Sequence, residues 1–267
     1  MPDETHTPAD ASAPAGTGLE TRRLTVRYGG VVANEAISLT VEPGEIVGLI
    51  GPNGAGKTTF VDAVTGFTPA EGDVLLDGES LTGMPPHRRR RAGLSRTWQS
   101  GELFPNLTVR QNVTVSLRPG GLRAVLGDLF GRHSTDVDTI VDTTLEAVGL
   151  AGLGAMLARD LTLGQQKLVG VARALAGTCS VLLLDEPAAG LDTRESTAFA
   201  DRIRAVADSG RGILLIDHDM SLILSVCTRL YVVEFGKIIF SGTPSEARTD
   251  PAVVAAYLGT PMEPIDV

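Results

Sequence analysis

Residues 45–66 read EIVGLIGPNGAGKTTFVDAVTG. A short aliphatic run, Ile46 to Ile50, stops at a glycine-rich turn, and the TTFVDAVTG behind it can form a helix. The turn, Gly51-Pro52-Asn53-Gly54-Ala55-Gly56-Lys57-Thr58-Thr59, meets the pattern G-x-x-x-x-G-K-[ST] at each fixed place. The physics of that spacing is specific. Glycines let main-chain N–H groups curl around phosphate oxygens, and a helix N-terminus adds a favourable dipole. Lys57 is placed to reach the β- and γ-phosphates of a nucleotide, and the Thr58 hydroxyl to ligate Mg²⁺. A chance match in a chain of this length has a probability on the order of 1%. The turn is therefore read as a nucleotide site.

Two other stretches share the character of Ile46–Ile50. SVLLLDEP (180–187) and RGILLIDHD (211–219) are short and nearly all apolar before their acids, which suits central strands buried on both faces. RRLTVRY and AISLTV instead alternate, with Leu24, Val26 and Tyr28, then Ile37, Leu39 and Val41 on one side. That is the period of half-exposed strands. Asp185 ends an apolar run at the carboxyl edge of a sheet, where α/β proteins hold ligands, and there it can hold magnesium. Glu186 follows, and a carboxylate beside a γ-phosphate can orient and polarise an attacking water. Paired acids at a strand end are often mere helix caps; beside a phosphate turn the chemical reading outweighs the cap.

Between residues 100 and 160 the character changes. Val137, Ile140, Val141, Leu145 and Val148 fall at helical spacing after the Gly/Pro/Arg-rich LRPGGLRAVLGDLFGRH. HRRRR, His87 to Arg91, reads as a solvated basic helix face. The net charge of -9 argues against a nucleic-acid partner held by bulk attraction. No apolar run approaches the length of about 18 residues that spans a bilayer. The opening MPDETHTPADASAPAGTG has neither the basic nor the apolar region of a signal peptide, and reads as a disordered tail over 1–18. Cys179 and Cys227 lack metal-ligand spacing and read as free thiols of a reducing cytoplasm.

In order along the chain stand Tyr28, Gly51–Thr59, Gln99 in SRTWQ, LTLGQQ, LLLDEP, AAGLD and His218 in LLIDHDM. This series resembles an ATP-binding cassette (ABC) ATPase from about residue 19 to 258. The resemblance implies an α/β P-loop NTPase fold. Its parts are a RecA-like mixed-sheet core, an antiparallel β subdomain and an α-helical subdomain inserted at about 100–160, with a tail over 259–267. It implies ATP and Mg²⁺ as cofactors and two cassettes paired head to tail, each ATP between one P-loop and the other subunit's signature. Tyr28 is then expected to stack on adenine, Gln99 to touch Mg²⁺ or the water, and His218 to hold the γ-phosphate, Glu186 and the water in line. Asp192 is expected near the dimer seam, with Gly190 permitting the tight turn before it.

The family signature reads L-S-G-G-Q, and here Leu161-Thr162-Leu163-Gly164-Gln165 stands in its place. Thr162 keeps a hydroxyl, Gly164 a close backbone approach, and a helix starting near Gln165 keeps its dipole aimed at phosphate. Leu163 departs from the pattern. A bulky residue there resembles the ATP-binding subunits of branched-chain amino acid importers, as do SRTWQSGELFPNLTVRQNV, LLIDHDMSLILSVCTRLYVVEFGKII and DPAVVAAYLG. The insertion resembles the longer of two paired ATPase paralogues, which implies a heterodimer with a shorter cassette in preference to a homodimer. Transmembrane permease subunits, and indirectly a solute-binding protein, are the implied partners at the cytoplasmic face of the membrane. Branched-chain amino acids lead as solute, with urea, short amides or other amino acids behind. The competing readings are a lipopolysaccharide-type or other ABC exporter ATPase and a soluble, non-transport ABC ATPase. A guanine-nucleotide switch is excluded, since no N-K-x-D follows the P-loop.

Overall fold

The computed structural model describes residues 18–97, 103–117 and 135–257. Alternation within apolar runs builds its central sheet. In β3 (Ile46–Ile50), Ile46 and Ile50 enter one hydrophobic cluster, while Val47 and Leu49 enter a second. The same division splits β7 (Val181–Asp185), β8 (Gly212–Ile216) and β9 (Arg229–Glu234). These strands look continuously apolar because both faces are covered, as parallel sheets require. With β6 (Leu94–Arg96) and β10 (Lys237–Gly242) they form a six-stranded sheet in the order β10-β9-β3-β8-β7-β6. Pairing is parallel except between β10 and β9.

One face carries α3 (Val109–Leu117), α4 (Thr135–Ala147), α5 (Leu163–Leu175), α6 (Thr193–Asp208) and α7 (Met220–Val226). The other carries α1 (Lys57–Thr65) and an antiparallel sheet in the order β2-β1-β4-β5. Its strands are β1 (Leu19–Tyr28), β2 (Val31–Val41), β4 (Glu71–Leu76) and β5 (Glu79–Ser80). Leu24, Val26, Ile37, Leu39 and Val41 are buried as their alternation requires. Tyr28 is not: a register shift between Val26 and Arg27 breaks the alternation, and Tyr28 ends β1 exposed. Val141, Leu145 and Val148 face the core from the helical stretch, while Ile140 is exposed.

The basic run on α2 (Pro86–Ala92) departs from a solvated face. Arg89 is buried, and its guanidinium donates to the carbonyls of Ala63, Val64 and Met84 at 2.9, 2.6 and 2.9 Å. Arg90 donates to Ala176 and Thr178 at 2.7 and 2.9 Å, just beyond α5. The last carbonyls of a helix have no partner within it, and a cation there is doubly favoured. Only His87, Arg88 and Arg91 are left to solvent. Two short helices, α8 (Pro244–Ala247) and α9 (Pro251–Tyr257), close the described chain. Gln99, both terminal tails and the LRPGGLRAVLGDLFGRH stretch after Leu117 lie outside the described residues. Among the described residues no helix is long and apolar enough to cross a membrane.

Candidate functional site

The carboxyl ends of four neighbouring parallel strands converge at one edge of the large sheet. Gly51 follows β3, Asp217 and His218 follow β8, Asp185 ends β7 with Glu186 next, and Arg96 ends β6. Register places Asp185 beside Ile216, and Arg96 beside Leu183. Chemistry-bearing residues far apart in sequence therefore share one ridge, the usual ligand edge of open α/β sheets.

Gly56 is the N-cap of α1 at φ +103°, and a Cβ there would fall 2.6 Å from the Ala33 carbonyl oxygen. Only glycine fits. The Asn34 side chain donates to the Gly56 carbonyl at 3.1 Å, so β2 braces the turn from outside. Asn53, Gly54 and Thr58 are exposed, Pro52 and Thr59 half-buried, and Ala55 buried. Lys57 Nζ folds back onto the carbonyls of Gly51 and Pro52 at 2.6 and 3.0 Å. Burial lowers the Lys57 pKa, and the charges of Glu186 and Asp185 oppose that shift. The Gly51 main chain lowers the pKa of the Tyr257 phenol on α9. Burial nevertheless raises that phenol to about 12.

Asp185 is buried, and its Oδ2 accepts from Arg96 Nη2 at 2.7 Å. Arg96 Nη1 reaches Asp62 Oδ1 on α1 at 2.5 Å. The second oxygen of Asp185, Oδ1, is buried with no hydrogen-bond partner among the described residues. A buried, unpaired anionic oxygen beside a phosphate turn is what a hard cation needs, so the donor set fits Mg²⁺. Glu186 follows half-buried at φ +47°, an uncommon backbone state for a residue with a Cβ. Its N–H is held by the Ile216 carbonyl at 2.7 Å. Asp217 is enclosed and accepts main-chain N–H bonds from Ala188, His218 and Asp219. The His218 side chain is 70% exposed, with Nδ1 3.7 Å from Asp217 Oδ1.

The signature helix starts two residues earlier than the sequence reading placed it. Thr162 is the N-cap of α5, its Oγ1 accepting from Gln165 N at 3.3 Å while Gln165 Oε1 accepts from Thr162 N at 3.0 Å. Gln165 completes this capping box at the third helical position, so the helix includes Leu163. Gly164 donates its N–H to Glu195 Oε1 at 3.2 Å. Asp192 caps α6 through the Glu195 N–H at 2.7 Å, and Gly190 takes φ +82° in the turn before it. Among the described residues no hydrogen bond joins Thr162, Gly164 or Gln165 to Gly51–Thr59. Tyr28 is exposed, with its hydroxyl 3.4 Å from Thr68 Oγ1.

Three residues of the site went unmarked in the sequence reading: Arg96, Asp62 and Asp217. Asp62 carried a usable signal, since it lies four residues after Thr58 on the same face of α1. Arg96 and Asp217 sit inside quoted motifs, but their partners are set by strand order alone.

Comparison with known proteins decides the family. A family model described as "ABC transporter" matches residues 34–189. The chain belongs to the ABC transporter ATPase family. Residues 237–262 of this cassette match a second model, described as "Branched-chain amino acid ATP-binding cassette transporter". The high-affinity branched-chain amino acid transport ATP-binding protein LivG of Escherichia coli K12 is 38% identical over 248 residues, covering 90% of this chain and 97% of LivG. BraF of Pseudomonas aeruginosa, of the same description, is 36% identical over the same shares. The lipopolysaccharide export system ATP-binding protein LptB of E. coli K12 is also 36% identical, covering 90% of this chain and 97% of LptB. Among solved structures, the ADP conformation of MJ1267, an ATP-binding cassette of an ABC transporter, superposes with a TM-score of 0.80. It is 28% identical and covers 90% of this chain and 98% of its own. The cassette is an ABC ATPase with the α/β fold of that family, as its resemblance implied.

Proposed function

We propose that this cassette is the ATP-hydrolysing subunit of an importer for branched-chain or related amino acids. The match of residues 237–262 to the branched-chain cassette model carries the solute class. In this reading the cassette lies peripherally at the cytoplasmic face of the membrane, pairs with a second cassette and drives permease subunits. A cleft of about 780 Å³ supports a docking role. Arg90, Arg159, Lys167 and Arg173 line it, with Arg96 and Asp185 at the end that meets the strand edge, a mostly basic lining on an acidic chain.

Tyr28 offers an exposed ring to adenine. Lys57 leaves the Gly51 and Pro52 carbonyls to contact the β- and γ-phosphates, and the N–H groups of Gly54 to Thr59 cradle them. Thr58, Asp185 and Gln99 are the residues that would hold Mg²⁺, which supplies Lewis-acid charge against the phosphate oxygens. Glu186 accepts a proton as a water oxygen bonds to the γ-phosphorus and the bridging oxygen departs with its bonding pair. His218 keeps that line, and Thr162, Gly164 and Gln165 serve the ATP of the opposite cassette. ATP holds the pair closed and hydrolysis lets it part, which biases the permeases between two states.

The test is gentle purification of the tagged chain from native membranes, with mass spectrometry of what co-purifies. Reconstitution with labelled leucine follows. Two polytopic permeases, a shorter cassette and ATP-dependent leucine uptake are expected. Recovery with lipopolysaccharide-export components would move the cassette to the exporter reading. Recovery alone or with ribosomes, DNA or iron–sulfur assembly factors would end the transport reading while the ATPase assignment stood.

A further inference from the structure

One contact at the phosphate edge joins residues of different motifs and is spelled out by neither. Arg96 sits at the end of β6, next to β7, and its guanidinium divides between two acids of different elements. Nη2 holds Asp185 Oδ2 at 2.7 Å, and Nη1 holds Asp62 Oδ1 on α1 at 2.5 Å. The Arg96 and Asp185 side chains are 7% and 3% exposed, so water neither screens nor replaces the pairing. Asp185 Oδ1 remains buried with no hydrogen-bond partner among the described residues. We propose that Arg96 is a positioning residue for the magnesium carboxylate: it fixes Asp185 by Oδ2 and presents Oδ1 to the metal.

A carboxylate free to rotate about its last bond offers either oxygen, and in apolar surroundings it takes whatever donor comes first. A planar guanidinium anchored at a second acid removes that freedom, because its fork matches one oxygen of each partner. Asp62 is the anchor, and it lies one turn after Thr58 on the helix that opens with Lys57. The carboxylate of β7 is thereby tied to the helix that carries the Thr58 hydroxyl, so the two oxygens proposed for the metal keep one spacing. Outer partners that orient a ligand typically change metal affinity 10- to 100-fold when removed, on the order seen for second-shell groups elsewhere.

This inference rests on the reading that Asp185 faces Mg²⁺, and the experiment separates the two. Calorimetry of the full chain measures ADP affinity with and without Mg²⁺, for wild type, Arg96→Gln, Arg96→Lys, Asp62→Asn and Asp185→Asn. In wild type Mg²⁺ tightens ADP binding. Arg96→Gln is expected to cut that gain about tenfold while leaving Mg²⁺-free ADP binding unchanged, with partial rescue by Arg96→Lys and a smaller loss in Asp62→Asn. An undiminished gain in Arg96→Gln would overturn the proposal, as would an equal loss of affinity with and without Mg²⁺. If Arg96→Gln does not fold, Arg96→Lys and Asp62→Asn decide: an undiminished gain in both overturns it. Should Asp185→Asn keep the full gain, the magnesium reading itself fails.

Discussion

Asp217 Oδ2 accepts the main-chain N–H of Ala188 at 3.0 Å, across the gap between the loops that follow β8 and β7. Its Oδ1 holds the N–H groups of His218 and Asp219 at 2.8 and 2.9 Å. One enclosed carboxylate therefore makes a single rigid piece of the segments that carry Glu186 and His218. Asp217→Asn turns one acceptor into a donor facing an N–H, which costs about 1–3 kcal/mol of stability. ATP turnover is expected to fall further than the stability loss explains. Urea unfolding and steady-state hydrolysis on the same preparation check this, and wild-type turnover would contradict the linkage.

Glu186→Gln keeps shape and burial but removes the proton acceptor. Hydrolysis should fall by about 10²–10⁴-fold, the range for loss of a general base. ADP affinity should not change, because the phosphate turn is untouched. Unchanged turnover in a phosphate-release assay would remove Glu186 from the role proposed.

Leu163, the residue that breaks the family signature, packs against the turn before α6. A Cβ added at Gly190 would stand 3.2 Å from Leu163 Cδ2, and Gly190 has φ +82°. Gly190→Ala should cost about 1–2 kcal/mol from backbone strain, with the side-chain contact added. Paired with Leu163→Ala, the contact part should return and the strain persist. A double-mutant cycle on thermal stability should show a coupling of about 0.5 kcal/mol or more; simple additivity would mean the two do not touch in solution.

Arg89→Met removes the donors to the Val64 and Met84 carbonyls, while the Ala63 carbonyl keeps the Gly66 N–H at 3.1 Å. The expected loss is about 3 kcal/mol. Exposed Arg88→Ala should stay within about 0.5 kcal/mol. Denaturant midpoints of the two variants give the comparison, and equal effects would return α2 to the solvated basic face read from its sequence.

Burial pushes the Cys227 thiol from near 9 up to about 12. The folded form keeps this proton where the unfolded form releases it, so the stability it contributes is whole below about 9 and declines as pH rises towards about 12. Cys179 is raised by burial too and adds in the same direction, while Tyr257 joins only above its ordinary value near 10. Unfolding midpoints between pH 8 and 10 should therefore fall with pH, and Cys227→Ala should flatten that slope (window from the ordinary thiol and phenol values of about 8.5 and 10). An identical slope in the variant would refute the assignment.

The sequence by itself determined whatever depends on neighbours along the chain. The turn Gly51–Thr59, the continuous apolar runs of β3, β7 and β8, and the helical spacing of Val141, Leu145 and Val148 are local patterns. Backbone geometry turns such patterns into structure directly. The tertiary structure decided the pairings between distant residues. Arg96 meets Asp185 because β6 lies beside β7, and 89 positions separate them. Asp217 meets Ala188 because β8 lies on the other side of β7. HRRRR looked like a surface because nothing in its spacing says that helix ends with unpaired carbonyls lie beneath it. Hydrogen bonds and charges act over a few ångströms in space, and strand order sets which residues come that close.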